Sequence, residues 1–469
     1  MSKRTMRIIG ASLYFIPVKT RVPFQFGVET LTEVICARAM LRVRADDGRE
    51  ICGWGETPLN VQWVWPGKIS YQERCDALQA FCMQLARRYA IFEHAGHPLE
   101  IGHAFTENVL PEMLRAFNAP RKTELHMPWL AALVCSSPFD IALYDAYGKL
   151  VDRPVFETLG AEFLGADLSA FLEPADDCKN TISFTGKFPS DYLAPLPRPD
   201  KLPVWHVLGE SDAIDDSELT GREPKDEYPV TLRDWIVRDG LRCVKIKLRG
   251  NNAAWDYQRL VSVGSLCRSL GVRWLCFDFN CTAESVAYVT GMLDRLLRDE
   301  PEIYGMLLYV EQPFPYELEQ HPLDVHAVSA RKPLFMDESA HDWHVIRRGR
   351  ELGWSCVALK TCKTLTGALL SLCWARAHGM MLMVQDLTNP MLAIIPHVAL
   401  AAHAGTLMGV ECNSMQFYPD ASRPEAAVHP GLHRRRDGCV DLSSLTEAGF
   451  SYKLEKIARQ LPAPAVEAP

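Results

Sequence analysis

The hydrophobic pattern of this chain changes character twice. Between about residues 7 and 56, apolar and polar positions alternate as they do in half-buried antiparallel strands. The segment 33–44 is rich in Val, Ile, Ala and Leu, Ala45-Asp46-Asp47-Gly48 has the chemistry of a hairpin turn, and Gly53-Trp54-Gly55-Glu56 closes the next strand. From 71 to 160 apolar residues recur at helical spacing, most regularly over 71–89 and 129–150. From about 202, short apolar runs alternate with amphipathic stretches. The runs predict strands at 202–208, 242–248, 273–279, 306–311, 333–338, 356–360, 380–386 and 407–412. The stretches between them predict helices, including 254–270, 284–298, 342–352, 365–378 and 390–404. Eight buried strands, mostly alternating with helices, predict a parallel βα barrel, with a doubly wound open sheet as the alternative. The strands and helices before residue 165 predict an α+β domain in front of it.

Two segments break this pattern. Residues 165–203 hold many prolines, among them Pro174, Pro189, Pro195, Pro197 and Pro199. Residues 209–230 are acidic, with Glu210, Asp212, Asp215, Asp216, Glu218, Glu223, Asp226 and Glu227. Both read as long loops or insertions, the acidic one solvated, and a long loop beside a site can serve as its lid. Two further loops are unusually apolar. One is Val22-Pro23-Phe24-Gln25-Phe26-Gly27, and the other runs from Thr57 to Gly67 with Trp63 and Trp65. They read as a contact surface or lid, or as aromatics packed against the rest of the chain.

Composition narrows the function classes. With 469 residues the chain is long enough for two or more domains, and 48% hydrophobic with 23% charged residues is the balance of a globular protein. A net charge of −8, with no basic tract beyond the short His433-Arg434-Arg435-Arg436, argues against a nucleic-acid partner. No apolar run of 18 residues is found, so no membrane span is expected. Lys3, Arg4 and Arg7 before the apolar 8–16 imitate a signal peptide, but no small-residue cleavage site follows, and a first strand is expected instead. The fifteen cysteines are scattered and form no Cys-x-x-Cys pair. They read as reduced, mostly buried thiols of a cytoplasmic protein. The oligomeric state is left open, a homo-oligomer included.

The candidate chemistry lies where the barrel strands end. Lys245 and Lys247 alternate with Val244 and Ile246, so both lysines project from the same face of strand two. Their mutual repulsion, with loss of water, is expected to favour a neutral amine and so a base. Strand three ends at Asp278-Phe279-Asn280, strand four at Glu311-Gln312-Pro313, strand five at Asp337-Glu338-Ser339 and strand six at Lys360. Strands seven and eight end at Gln385-Asp386 and Glu411-Cys412-Asn413. Asp278, Glu311 and Asp337 on three successive strands form an all-oxygen donor set for a hard cation. Mg²⁺ is favoured over Zn²⁺ because neither His nor Cys accompanies them. Strands two and six of eight lie nearly opposite, so Lys247 and Lys360 are expected to face each other across the rim. That arrangement suits a small carboxylate substrate whose α-proton leaves to give an enediolate. Lys363, beyond the end of strand six, reads as a solvated loop lysine. Weaker candidates for touching the substrate are Asn280, Asp386, Glu411, Phe24 and Trp63.

On these motifs the chain resembles the enolase superfamily, in its branch of muconate-lactonizing-enzyme-like and mandelate-racemase-like proteins. Lys245-Ile246-Lys247 resembles the family's paired lysines, and Asp278-Phe279-Asn280, Glu311-Gln312-Pro313 and Asp337-Glu338-Ser339 resemble its three metal-ligand motifs. Lys360 resembles the strand-six lysine. Gly53-Trp54-Gly55-Glu56 and Phe139-Asp140-Ile141-Ala142-Leu143-Tyr144-Asp145 resemble the amino-terminal cap. The resemblance implies a modified TIM barrel, (β/α)₇β, with an α+β N-terminal capping domain. The corresponding division is a cap at 1–165, a barrel at 166–412 with insertions near 166–230, and a segment at 413–469 returning to the cap. It further implies one Mg²⁺, Lys247 as one base tuned by Lys245, Lys360 as the opposite base or cationic partner, and loops near 22–30 and 57–67 closing over substrate. The strand-seven end is Gln385-Asp386 rather than a His, and strand eight carries Glu411-Cys412-Asn413 rather than Asp-x-Asp. These departures disfavour the mandelate racemase and dipeptide epimerase subgroups. A racemase or epimerase is expected. The alternatives are a cycloisomerase or dehydratase on the same intermediate, or a barrel that binds a carboxylate without turning it over.

Overall fold

The computed structural model describes residues 4–26, 29–67 and 69–469. Lys3 of the basic start and residues 27–28 of the first apolar loop lie outside the described residues. The amino-terminal part is an antiparallel sheet built on a long hairpin, Met6–Phe26 against Glu29–Ala45, continued by Glu50–Leu59. The far carboxyl-terminal strand, Val466–Ala468, pairs with the outer edge of this sheet and ties the chain end to its beginning.

Helices Tyr71–Ala90 and Trp129–Val151 pack on the sheet. Ser70 and Glu73 form a reciprocal capping box at the start of the first. The second is apolar on almost every face, as a helix surrounded by protein must be. The stretch Thr123–Val151, which takes in this helix, is long and apolar enough to cross a bilayer by length and composition alone. Within this fold, 89% of its apolar window is buried, so it is the core helix of the cap. The two carboxylates of the Phe139–Asp145 run act as clamps. Asp140 accepts from Thr366 N (2.9 Å) and Thr366 Oγ1 (2.7 Å) on the barrel side, and Asp145 accepts from Trp54 N (2.9 Å) and Phe450 N (3.1 Å).

The second sheet is the barrel. Its eight parallel strands are Lys201–Leu208, Cys243–Lys247, Trp274–Asp278, Leu307–Glu311, Leu334–Met336, Cys356–Leu359, Met381–Val384 and Val410–Glu411. They hydrogen-bond in sequence order from one to seven, and strand eight returns to pair with strand one. Leu407 N donates to Leu382 O (2.7 Å) across the remaining seam. The result is a nearly closed (β/α)₇β barrel with a separate cap, as the alternating pattern predicts; the open sheet is excluded. Strand two, which an exposed edge would leave half-solvated, is buried along its length. Trp205, Cys243, Cys276, Tyr309, Phe335, Cys356 and Met383 fill the floor of the barrel, so polar chemistry is confined to the opposite rim.

The two apolar loops depart from expectation. Val22–Phe26 belongs to the first strand rather than a loop, and Thr57–Leu59 continues the third, followed by a short helix, Val61–Val64. The acidic insertion is not simply solvated. Glu210 is buried against Arg249 (3.2 Å), and Asp226 grips Arg21 of the cap.

Candidate active site

Register brings the site together. Lys247 lies beside Asp278, Asp278 beside Glu311, and Glu311 beside Phe335, two residues before Asp337. Adjacent strands therefore deliver these charged side chains to one level of the rim. Lys245 Nζ contacts three carboxylates, Glu311 Oε1 at 2.6 Å, Asp278 Oδ2 at 3.0 Å and Glu411 Oε2 at 3.1 Å. Lys247 Nζ donates to Asp278 Oδ2 (2.5 Å) and Asn280 Oδ1 (2.7 Å). Lys360 Nζ donates to the Asp386 carbonyl (2.9 Å) and lies 3.2 Å from Asp337 Oδ2.

One small cavity is lined by Lys245, Lys247, Asn280, Asp337, Lys360, Asp386 and Glu411, and walled by Phe24, Phe26 and Trp63 from the cap. The structure thus brings nine of the eleven predicted residues to one cavity wall. The other two, Asp278 and Glu311, stand behind Lys245 and Lys247. The free space, about 40 Å³, accommodates a few waters and no organic acid.

The lysines differ from expectation. Burial alone would favour the neutral amine of Lys245, but Asp278, Glu311 and Glu411 overcome it and raise its pKa well above that of a free lysine. Burial likewise opposes charge on Lys360, yet Asp337 and Glu411 raise it. Lysine–lysine repulsion loses because carboxylates lie between the ammonium groups. The carboxyls respond in kind. Burial pushes Asp278 up, but Lys245 and Lys247 outweigh it and hold the group below the usual carboxylate range. Glu311 is raised well above that range by burial and by Asp278. Lys363 is not solvated. It is 3% exposed, bonded to the carbonyls of Asp337 and Ala340, and lowered by burial. It props up the turn that carries Asp337.

Three contributors are quoted at strand ends in the sequence reading but given no role there. Glu338 is buried, its pKa is raised to about 7 by burial and by its neighbour Asp337, and it accepts from Trp63 Nε1 (3.0 Å) and Asn280 Nδ2 (2.9 Å). Gln385 donates to Glu311 Oε2 (2.5 Å), and Asn413 donates to Glu411 Oε1 (3.0 Å) while its backbone N–H meets Asp386 Oδ2 (2.9 Å). Each shares its strand end with a residue named there as a candidate. The signal was adjacency at the point where the strand ladder stops and alternation no longer decides which way a side chain points.

The donor set fits a hard cation. Asp278, Glu311, Asp337, Glu338, Asp386 and Glu411 are all buried beside four buried lysines, Lys245, Lys247, Lys360 and Lys363. Fully ionised, the carboxylates exceed the ammonium groups by two charges, the charge of one divalent ion. Asp337 Oδ1, Glu338 Oε2 and Asp386 Oδ1 are buried without a hydrogen-bond partner among the described residues. The ligand cage is not preformed. Among the described residues no three His, Cys, Asp or Glu side chains stand in metal-binding geometry, since Lys245 bridges Asp278 and Glu311.

Residues 228–457 match the family model for the enolase C-terminal domain-like fold. No curated protein matches the sequence. Among solved structures, a muconate lactonizing enzyme from Mucobacterium Smegmatis complexed with muconolactone aligns with a TM-score of 0.61 at 16% identity, covering 97% of this chain and 100% of that one. An N-succinyl Arg/Lys racemase from Bacillus cereus aligns at 0.60 and 16% identity, covering 97% and 98%. A dipeptide epimerase from Enterococcus faecalis, complexed with Mg and a dipeptide, aligns at 0.61 and 15% identity, covering 95% and 99%. The matched segment takes in seven of the eight barrel strands and every charged rim residue described above, so residues 228–457 belong to the enolase C-terminal domain-like family, and the fold of those enzymes is shared along nearly the whole chain.

Proposed function

We propose that this protein is an enzyme that removes the α-proton of a small carboxylate and returns a proton to the same carbon, as a racemase or epimerase. One observation carries this reading: Lys247 and Lys360, from strands four places apart in an eight-strand ring, line the same cavity. A planar intermediate between them would be open to one lysine on each face. The residues that would hold a divalent cation are Asp278, Glu311 and Asp337, and that cation, Mg²⁺ by the all-oxygen donor set, would supply positive charge to the substrate carboxylate and relieve the lysines of acting as counter-ions.

The chain's own residues divide the remaining work. A lysine accepts a proton only from its neutral form, so one of the pair must be deprotonated while the other holds the proton to be delivered. Asn280 Oδ1 fixes the Lys247 ammonium, and the Asp386 carbonyl fixes that of Lys360. Lys245 ties strand two to strands three, four and eight and keeps Lys247 on a rigid support. Phe24, Phe26 and Trp63 exclude water from the reacting carbon. Because the free space is only about 40 Å³, these cap residues must draw back to admit a substrate.

The test is α-proton exchange in D₂O with Mg²⁺ against N-acylamino acids, dipeptides and sugar acids, read by mass spectrometry. Wild type is expected to label at least one class, and Lys247→Ala and Lys360→Ala are each expected to lose the racemising exchange. Full labelling in both variants would sink the assignment. A product of changed formula or ring structure would indicate the same proton abstraction serving a dehydratase or cycloisomerase. Tight carboxylate binding without exchange would leave a binding barrel.

A further inference from the structure

The tip of the first cap hairpin, residues 20–26, is joined to its own sheet by a weak link. Lys19 pairs with Glu33, but the next pair is Phe24 with Leu31. Residues 20–23 therefore bulge opposite Thr32 alone, and Pro23 has no N–H to contribute to a ladder. Beyond this bulge lie Phe24 and Phe26, which wall the cavity around Lys247. The pairs Phe24–Leu31, Gln25–Thr30 and Phe26–Glu29 hold the tip together, but the bulge leaves its position relative to the rest of the sheet to other contacts.

The acidic insertion supplies them. Arg21, projecting from the bulge, reaches across to Asp226 in a two-pronged ion pair, Nε to Oδ2 at 2.7 Å and Nη2 to Oδ1 at 2.8 Å. Its guanidinium also donates to the carbonyls of Tyr228 (2.9 Å) and Pro229 (3.2 Å), and lies 5.5 Å from the Tyr228 ring centroid. The Arg21 side chain is only 8% exposed. A second anchor sits on the far side of the tip, where Ser211 Oγ donates to Gln25 Oε1 and Glu210 N approaches Gln25 O at 3.4 Å. Phe24 packs on Phe417, just past strand eight, with ring centroids 4.5 Å apart. The sequence pattern offers no reason for a barrel insertion to carry these partners. The geometry gives one.

We infer that the insertion at 209–230 is a latch for the hairpin tip, with Arg21 and Asp226 as positioning residues that set the aromatic wall of the catalytic cavity. This rests on the proposed proton-transfer reading for its consequence in catalysis, but not for its structural content. A planar guanidinium held by one carboxylate and two carbonyls fixes direction as well as distance, which lysine in its place would not do. Opening this latch lets Phe24 and Phe26 withdraw while the rest of the sheet stays paired.

The experiment is hydrogen–deuterium exchange by mass spectrometry on the full chain, comparing wild type, Arg21→Met, Asp226→Asn and the exchanged pair Arg21→Asp with Asp226→Arg. In each single variant, exchange of backbone amides at 20–31 is expected to quicken roughly tenfold, from the loss of a two-pronged charged contact. Peptides covering 6–18 and 34–45 are expected to stay at wild-type rates, and the exchanged pair to recover at least part of the protection. Unchanged exchange at 20–31 in both single variants, or acceleration spread evenly over the whole sheet, would overturn the latch. With a substrate in hand, the single variants are expected to raise KM more than they lower kcat, whereas loss of kcat with unaltered tip exchange would also count against it. If wild type turned over nothing while the tip still loosened on cue, the catalytic reading would fail and the latch would stand.

Discussion

Replacing Lys245 by methionine tests how the charge network of the site is held together. The side chain is 2% exposed, and its ammonium meets Glu311, Asp278 and Glu411 at 2.6, 3.0 and 3.1 Å. Methionine preserves much of the volume and removes the charge, leaving three buried carboxyls with no shared counter-ion. Breaking one buried pair from one side costs about 3–5 kcal/mol, and that is the expected loss for Lys245→Met at pH 8 in chelator. The loss should shrink on acidification. Glu311 is already raised well above the usual carboxylate range by burial and by Asp278, and removing Lys245, which pulls it down, raises it further. The folded variant then binds more protons than its unfolded chain, so its stability falls as pH rises through the range between the unfolded and folded pKa values. Urea unfolding of wild type and variant at pH 5.5 and pH 8 reads this directly. Added Mg²⁺ at about a hundred times its Kd should restore about 2.7 kcal/mol. A variant as stable as wild type at pH 8, or one destabilised equally at both pH values, would refute this account of the charge network.

Other outcomes follow from single contacts. Gly53→Ala places a methyl 2.1 Å from Ala142 O and 2.4 Å from Ala146 N of the cap's core helix, so thermal unfolding should show a loss of about 3 kcal/mol or more, or no folded product. Asp140 is buried and raised to about 6 by burial despite its bonds from Thr366. Its contribution to stability should therefore decline as pH rises from about 4 to about 6 and then level off, and the difference between wild type and Asp140→Asn, measured across that range, should trace this slope. Thr364 adopts φ 69° and ψ 144°, a conformation suited to glycine, so Thr364→Gly should gain about 1 kcal/mol in chemical denaturation even after losing the side-chain bond to Gly367 N (3.0 Å).

The barrel was legible because its strands are buried on both faces and so read as short apolar runs, all but the first ending on or beside a polar or charged residue. Strand two shows it plainly, since the Lys245-Ile246-Lys247 alternation survives as a buried strand with both lysines on the rim. What the pattern could not show was who stands between the lysines. Their repulsion is a local property of the sequence, whereas the carboxylates that reverse it arrive from positions 278, 311 and 411 through register. Lys363 was misread for a related reason. Three residues past a strand end suggests solvent, but the chain turns back under Asp337 and buries it. The role of Glu338 stayed hidden because strict alternation would point it away from Asp337, and the strand stops at Met336, before that rule applies. The partnership of Arg21 with Asp226 spans 205 positions with no periodicity to reveal it.

The same strand ends explain how so many polar groups fit one rim. Asn280 (φ 43°), Gln312 (φ 28°) and Thr388 (φ 53°), like Thr364, hold left-handed backbone conformations just beyond a barrel strand. Each such residue costs on the order of 1–3 kcal/mol unless its surroundings compensate. The compensation is visible at two of them. Asn280 bonds Lys247 with its oxygen and Glu338 with its nitrogen, and Gln312 Oε1 accepts from Asp337 N (2.7 Å), Ser339 N (3.2 Å) and Ser339 Oγ (2.8 Å). Leaving the ladder abruptly is what lets consecutive residues, Asp337 and Glu338, both turn inward, which an extended strand forbids. Gln312 then pins the turn that carries them. The rim concentrates charge by breaking strand geometry at its ends, and side-chain amides offset the strain at the positions where the carboxylates are aimed.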